Sequence, residues 1–200
     1  QRRVKGTAHC SWGSCPGVLV GDFLYSRAFQ VMVEIGSMPI MAVISNATNV
    51  IAEGEVLQLL NGRKPDATEE AYMQVIIGKT AMLFEAATEV GAILADATDE
   101  QRDALRRYGH HLGIAFQLID DTLDYSATSE QMGKNIGDDL AEGKPTLPLL
   151  YAMSQGNPVQ QQIIRQAIEN GGIEQLQQVL EAIESTGAID YTAQTAQREA

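Results

Sequence analysis

Gly113-Ile-Ala-Phe116-Gln117-Leu118-Ile119-Asp120-Asp121-Thr122-Leu123-Asp124 is the stretch on which the reading of this chain turns. Written as a helix, it places Gln117, Asp120, Asp121 and Asp124 at i, i+3, i+4 and i+7, a polar stripe on one face. Phe116, Ile119 and Leu123 form an apolar stripe beside it. Carboxylates about 6 Å apart repel by ~3 kcal/mol per pair at an effective dielectric of about 20, and little nearby in sequence is positive. A solvated acidic face is one reading of such a cluster. The other is a cation site, because these acids interrupt a nearly apolar run, where a packed helix normally keeps its charges off the buried face. Asp-Asp-x-x-Asp presents hard oxygen ligands on consecutive turns, which suits Mg²⁺, a cation that keeps several waters and takes a few carboxylates plus substrate phosphates.

Around that stretch the periodicity is helical nearly everywhere, with no run of period-two alternation, so the expectation is an all-α protein. One helix is expected over 18–35, ended by Gly36. A second begins at Ser37 with Pro39 in its first turn and runs to about Leu60, where Asn61-Gly62-Arg63-Lys64-Pro65 stops it. Thr68 with Glu69 and Glu70 opens a third, and Thr98-Asp-Glu-Gln101 is a capping box for the long helix that ends in the Asp stripe. Residues 126–143 read as a loop. Short helices follow over 148–154, from Asn157-Pro158 to Gly171-Gly172, over 174–184 and from about Ile189.

Two hundred residues without a composition break read as one domain, 1–200. The formal charge of −12 disfavours nucleic acid and anionic membrane as general partners, so an anionic substrate has to be met by local basic residues or by metal. Cys10 and Cys15 imply neither a zinc site nor a disulfide framework. No stretch approaches the roughly 20 apolar residues of a membrane span, and no signal-like segment follows Gln1-Arg2-Arg3-Val4-Lys5, so the expected location is the cytoplasm. The chain starts without Met on a basic segment and stops at Ala200 inside a polar pattern; both ends are expected to be cut.

Other residues stand out from a plain helical bundle. Lys79-Thr80 lies in Val75-Ile-Ile-Gly78-Lys-Thr-Ala-Met-Leu-Phe84, a single cation flanked by apolar residues, where Gly78 costs a helix about 1 kcal/mol relative to Ala. A lysine whose stem snorkels to water reads the same way. Gly133-Lys134 and Gly137-Asp138-Asp139-Leu-Ala-Glu-Gly-Lys144-Pro-Thr-Leu-Pro148 put two more lysines just downstream of the carboxylates. Three acids together with separated lysines favour a site for metal-bridged phosphate.

Phe116-Gln117-Leu-Ile-Asp120-Asp121-Thr-Leu-Asp124, followed by Gly133-Lys134 and the Gly137-to-Pro148 segment, resembles the second aspartate-rich region of the trans-polyprenyl diphosphate synthases. Gly21-Asp22-Phe-Leu, Gly54-Glu55-x-x-Gln58-Leu and Lys79-Thr80 fall in that family's order, so the resemblance spans nearly the whole chain. Within the family it is nearest to the bacterial octaprenyl diphosphate synthases, which make the ubiquinone side chain.

The resemblance implies an isoprenoid-synthase helical bundle around an apolar tunnel, with two facing Asp-rich helices at its mouth. It implies a Mg²⁺-dependent prenyltransferase that ionises an allylic diphosphate, farnesyl diphosphate for instance. Isopentenyl diphosphate attacks the cation, and loss of a proton gives a longer all-trans polyprenyl diphosphate. Carried over by position, Asp120, Asp121 and Asp124 ligate Mg²⁺; Lys79, Thr80, Gln117, Lys134 and Lys144 hold the allylic diphosphate; Arg2 sits on the allylic and Arg3 on the isopentenyl diphosphate. Lys79, Asp120 and Asp121 are the expected catalytic residues. Val4 stands where the family usually has glycine, and the family's first Asp-Asp-x-x-Asp motif, expected just before Gln1, is absent, so the chain as written is expected to be catalytically incomplete. The family also implies a homodimer, to which the helix from Met38 to Leu60 has apolar surface to contribute. Two other functions stay open: a non-catalytic subunit of a two-component prenyl synthase, disfavoured by the intact acids, and a class I terpene cyclase, disfavoured by the Gly-Asp-Asp-Leu loop.

Overall fold

The computed structural model describes residues 8–126 and 137–200, and every regular element among them is helical. In chain order these are α1 (Ala8–Trp12), α2 (Ser14–Ile35), α3 (Met38–Asn61), α4 (Glu69–Ile76), a π turn (Ile77–Ala81), α5 (Met82–Leu94) and α6 (Asp99–Ser126). Then come α7 (Asp138–Ala141), α8 (Leu147–Gln155), α9 (Pro158–Asn170), a 3₁₀ turn (Ile173–Gln175), α10 (Leu176–Thr186) and α11 (Ala188–Glu199). No described helix is long and apolar enough to cross a membrane.

The helix starts follow from local chemistry. Thr68 Oγ1 accepts the Ala71 N–H at 3.1 Å, and Thr98 and Gln101 cap each other reciprocally, as do Asn157 and Gln160. Gly36 ends α2 and Gly171 ends α9, each left-handed (φ 72° and 68°). Two expectations need correction. The segment from Thr68 is broken by the π turn, and residues 126–143 are not all loop, since Asp138–Ala141 is helical.

Helices α5 and α6 pair as a hairpin. Arg102 reaches Glu89 through both Nε and Nη2 (2.9 and 2.6 Å), and Arg106 meets Glu85 at 2.9 Å, with both carboxylates largely buried. The buried face of α6 is Ile114, Ala115, Leu118, Thr122 and Tyr125. Tyr72, Ile76, Ala81, Leu147, Leu150 and Ala196 pack on its middle. A second cluster, of Leu140, Leu149, Ile164, Ile168, Val179 and Ile183, packs about Tyr125 at its end. The apolar stripe Phe116, Ile119, Leu123 lies instead on the exposed side (55%, 42% and 38% accessible), because α8 and α11 take the other flank. Helix α2 buries no residue at all and leaves Leu19, Phe23, Leu24 and Val33 on the surface.

Candidate active site

The π turn carries Lys79 and Thr80, and two glycines from other helices hold it. A Cβ on Gly54 of α3 would lie 2.7 Å from the Lys79 nitrogen and 2.9 Å from the Gly78 carbonyl carbon; one on Gly113 of α6 would lie 2.5 Å from Ala81 Cα. Backbone therefore packs on backbone from both sides, an approach only glycine permits. A residue inserted into a helix widens the turn and re-aims its side chains, and such bulges recur at functional sites. Here Lys79 Nζ lies 2.6 Å from Gln58 Oε1 and 3.3 Å from Glu55 Oε1, one helical turn apart on α3. The ammonium is paired with these two side chains of α3 and stays partly exposed.

Across from the π turn stands the acid stripe of α6. Thr80 Oγ1 donates to Gln117 Oε1 at 2.9 Å, Gln117 Nε2 donates to Asp121 Oδ1 at 2.7 Å, and Tyr72 Oη donates to Asp121 Oδ2 at 2.7 Å. Asp121 is 3% exposed, and burial pushes its carboxyl from 3.8 up to about 7. The two donors oppose that rise, and the charges of Asp139 and Asp120 add to it. Burial, together with the neighbouring Asp121, drives the Tyr72 hydroxyl well above its ordinary value, so it stays a donor.

The third wall is the segment after Gly137. Lys144 Nζ lies 3.0 Å from Asp139 Oδ1 and 2.6 Å from Glu142 Oε2. Burial pulls that ammonium down, but the two carboxylates outweigh it and hold it above the usual lysine range. Together these elements enclose a cavity of about 490 Å³. Facing it are Gln58, Tyr72, Lys79, Thr80, Gln117, Asp120, Asp121, Asp138, Asp139 and Lys144.

Most of the expected residues thus meet at one cavity. Asp124 does not line it: it is 1% exposed and lies beneath the segment that closes it. Arg2, Arg3 and Lys134 fall outside the described residues. Asp139 and Tyr72 are additions. Asp139 was legible only as one acid of a polar loop, and Tyr72, 49 residues from Asp121, carried no local signal.

The donor set fits Mg²⁺. Among the described residues no three acids converge into a ready-made metal cage. Mg²⁺ does not require one, since it binds through one or two carboxylates and completes its octahedron with water and phosphate oxygens. A cavity offering separate carboxylates beside two lysines, with one carboxyl held near neutrality by burial, suits a cation that arrives with an anion.

The family model for polyprenyl synthetase matches residues 1–185. The chain belongs to the polyprenyl synthetase family. Over its whole length it is 58% identical to the octaprenyl diphosphate synthase of Escherichia coli (strain K12), covering 62% of that protein. Over 198 residues it is 50% identical to the geranyl-diphosphate-specific all-trans-nonaprenyl-diphosphate synthase of Rhodobacter capsulatus, covering 61%. Among solved structures, a polyprenyl synthase from Caulobacter crescentus CB15, complexed with calcium and isoprenyl diphosphate, superposes on 99% of the chain with a TM-score of 0.94 at 44% identity. The chain covers 61% of that structure, so it spans a little over three fifths of the relatives it matches. This likeness assigns the helical bundle to the all-α isoprenoid synthase fold of the polyprenyl synthetases.

Proposed function

We propose that this polyprenyl synthetase is a prenyltransferase that condenses isopentenyl diphosphate with an allylic diphosphate such as farnesyl diphosphate, forming a long-chain all-trans product. The observation that carries the reading is the cavity in which Asp120, Asp121 and Asp139 face Lys79 and Lys144. Mg²⁺, when bound, supplies Lewis-acid neutralisation of the leaving diphosphate. Lys79, Lys144 and the hydroxyl of Thr80 hold the diphosphate oxygens where negative charge grows as the allylic C–O bond breaks, and donors fixed in advance stabilise that charge without reorganising. Tyr72 and Gln117 hold the Asp121 carboxylate in one orientation, and the Gly54 and Gly113 contacts fix the turn that aims Lys79. An octaprenyl product is supported by the 58% identity to the Escherichia coli enzyme.

The test is a titration of methylenediphosphonate into the folded chain, with and without Mg²⁺. Binding is expected to depend on Mg²⁺ and to weaken about tenfold or more in Asp120→Asn. Lys79→Ala is expected to weaken it at an unchanged melting temperature, because the Lys79–Glu55 pair is half-exposed and adds little stability. Equal affinity with and without metal refutes the assignment.

A homodimer through α2 and the outer face of α3 accompanies this reading. Leu19, Phe23 and Leu24 of α2 and Met38, Val56 and Leu59 of α3 are exposed apolar side chains on consecutive helices. Sedimentation equilibrium is expected to show a dimer that Phe23→Glu dissociates; a wild-type monomer at all concentrations removes the proposal.

A further inference from the structure

We propose that Arg63, on the connection between α3 and α4, is a positioning residue for Lys144: its left-handed backbone turns an N–H onto the peptide unit that carries the lysine, and its guanidinium holds that backbone against α9. The inference rests on the proposed diphosphate site, whose cavity Lys144 lines and Arg63 does not.

The stretch Asn61-Gly62-Arg63-Lys64-Pro65 ends α3 and turns the chain toward α4. Gly62 takes an ordinary conformation there (φ −57°), and the left-handed one falls on Arg63 (φ 59°). A Cβ disfavours that conformation, which persists where the surroundings fix it. Two contacts with α9 do so. Arg63 Nη1 donates to the Glu169 carbonyl at 3.3 Å, in the last turn of α9, where carbonyls lack partners within the helix and a cation is favoured. One turn further back on the same helix, Arg165 Nη2 donates to Asp66 Oδ1 at 2.6 Å and ties down the other end of the connection.

From this post the Arg63 N–H donates to the Gly143 carbonyl at 2.8 Å. The same peptide unit carries the Lys144 N–H, which donates to the Asp139 carbonyl at 2.9 Å. Because a peptide unit is planar, bonds at both of its edges fix the plane from which the Lys144 side chain departs. The approach is close: a Cβ on Gly143 (φ 71°) would lie 2.7 Å from Arg63 Cγ and 2.9 Å from the Ile168 carbonyl oxygen. Position 143 therefore takes glycine, whose backbone rotates most freely, and the direction of Lys144 depends on what grips that carbonyl. The pairing of Lys144 Nζ with Asp139 and Glu142 sits at the end of a flexible stem and leaves the backbone to be fixed by other contacts.

Methylenediphosphonate is titrated into the whole chain in the presence of Mg²⁺, and hydrogen exchange of the Lys144 amide is followed alongside. Arg63 is exposed, so its variants are expected to fold. Arg63→Ala keeps the Cβ and loses the anchor; it is expected to weaken binding about three- to tenfold and to speed exchange at Lys144. Arg63→Lys, whose ammonium reaches toward the same carbonyls, and Arg63→Gly, which turns left-handed without an anchor, are each expected to restore most of both. The alanine change should keep its full effect in a Lys79→Ala background and add less than about twofold in a Lys144→Gln background, as residues acting through one element do. Equal effects in the two backgrounds show general loosening and refute the proposal, as does an Arg63→Ala variant that binds and exchanges like wild type. A loss in Arg63→Gly as large as in Arg63→Ala shows that the left-handed N–H is not the route and overturns it. If Lys144→Gln itself binds like wild type, the diphosphate role of this lysine fails, while exchange of the Lys144 amide in the three Arg63 variants still decides the anchoring.

Discussion

Replacing Asp121 by asparagine is expected to make the metal-free protein more stable at neutral pH while abolishing Mg²⁺-dependent diphosphate binding. Burial pushes this carboxyl from 3.8 up to about 7. Between those values the native state keeps a proton that the unfolded chain has released, so the native state binds more protons and stability falls as pH rises through the window. About three pH units at ~1.36 kcal/mol each bound the penalty at ~4 kcal/mol, complete above pH about 7 and absent below about 4. Asparagine has no charge to bury. It does oppose its own amide to Gln117 Nε2, or forces Gln117 to turn and lose Thr80, at about 1 kcal/mol. The variant should therefore be about 1 kcal/mol less stable than wild type at pH 4 and about 3 kcal/mol more stable at pH 8. For a chain of this size the latter corresponds to a rise of roughly 6–12 °C in Tm. The assay is thermal unfolding of both proteins in EDTA from pH 4 to 8. Exposed acids such as Asp66 and Asp103, whose paired arginines lower their carboxyls, give the opposite slope in both proteins and cancel in the difference. A difference that stays flat with pH refutes the reasoning.

Tyr72→Phe keeps the buried ring and removes one donor from Asp121, so the carboxyl becomes harder to ionise; the pH midpoint of Mg²⁺–methylenediphosphonate binding should rise by about one unit, and an unmoved midpoint counts against the bond. Gly54→Ala meets backbone of the π turn at 2.7 and 2.9 Å and should destabilise by about 1–3 kcal/mol in urea and weaken diphosphate binding. Gly21→Ala, with open space around it in α2, should be neutral or stabilise by up to about 1 kcal/mol; equal effects of the two would show that the π turn is not held by Gly54.

The helices were legible because their signals are local. A threonine at 68 or 98 and an asparagine at 157 cap whatever follows within four residues, and the long period of α6 declares its own face. Which flank of α6 would be buried was not local: Phe116, Ile119 and Leu123 are as apolar as Ile114 and Leu118, and only the arrival of α8 and α11 separates them. The π turn is likewise a tertiary product. Its trace in sequence was a glycine inside an apolar helix beside a lone lysine, but the residues that require it, Gly54 and Gly113, lie 24 positions before Gly78 and 35 after it. Asp124 and Asp139 were visible as acids, but the bond from the Asp139 N–H to Asp124 Oδ2 joins positions 15 apart and left no local signal.

The two lysines of the cavity are already paired, and the strengths of those pairings set how each can act. Lys79 is shared between Gln58 and a half-exposed Glu55, a partnership in which water screens most of the attraction. In the proposed site it is expected to exchange that partner for a diphosphate at little cost. Lys144 is bound to Asp139, whose carboxylate is largely buried, and their attraction is correspondingly less screened. On the proposed reading, an incoming diphosphate is therefore expected to meet Lys144 with its carboxylate still attached. On the proposed reading, the negative charge beside it calls for a cation between carboxylate and phosphate, and metal and diphosphate binding are expected to be coupled more tightly at that wall of the cavity than at the π turn.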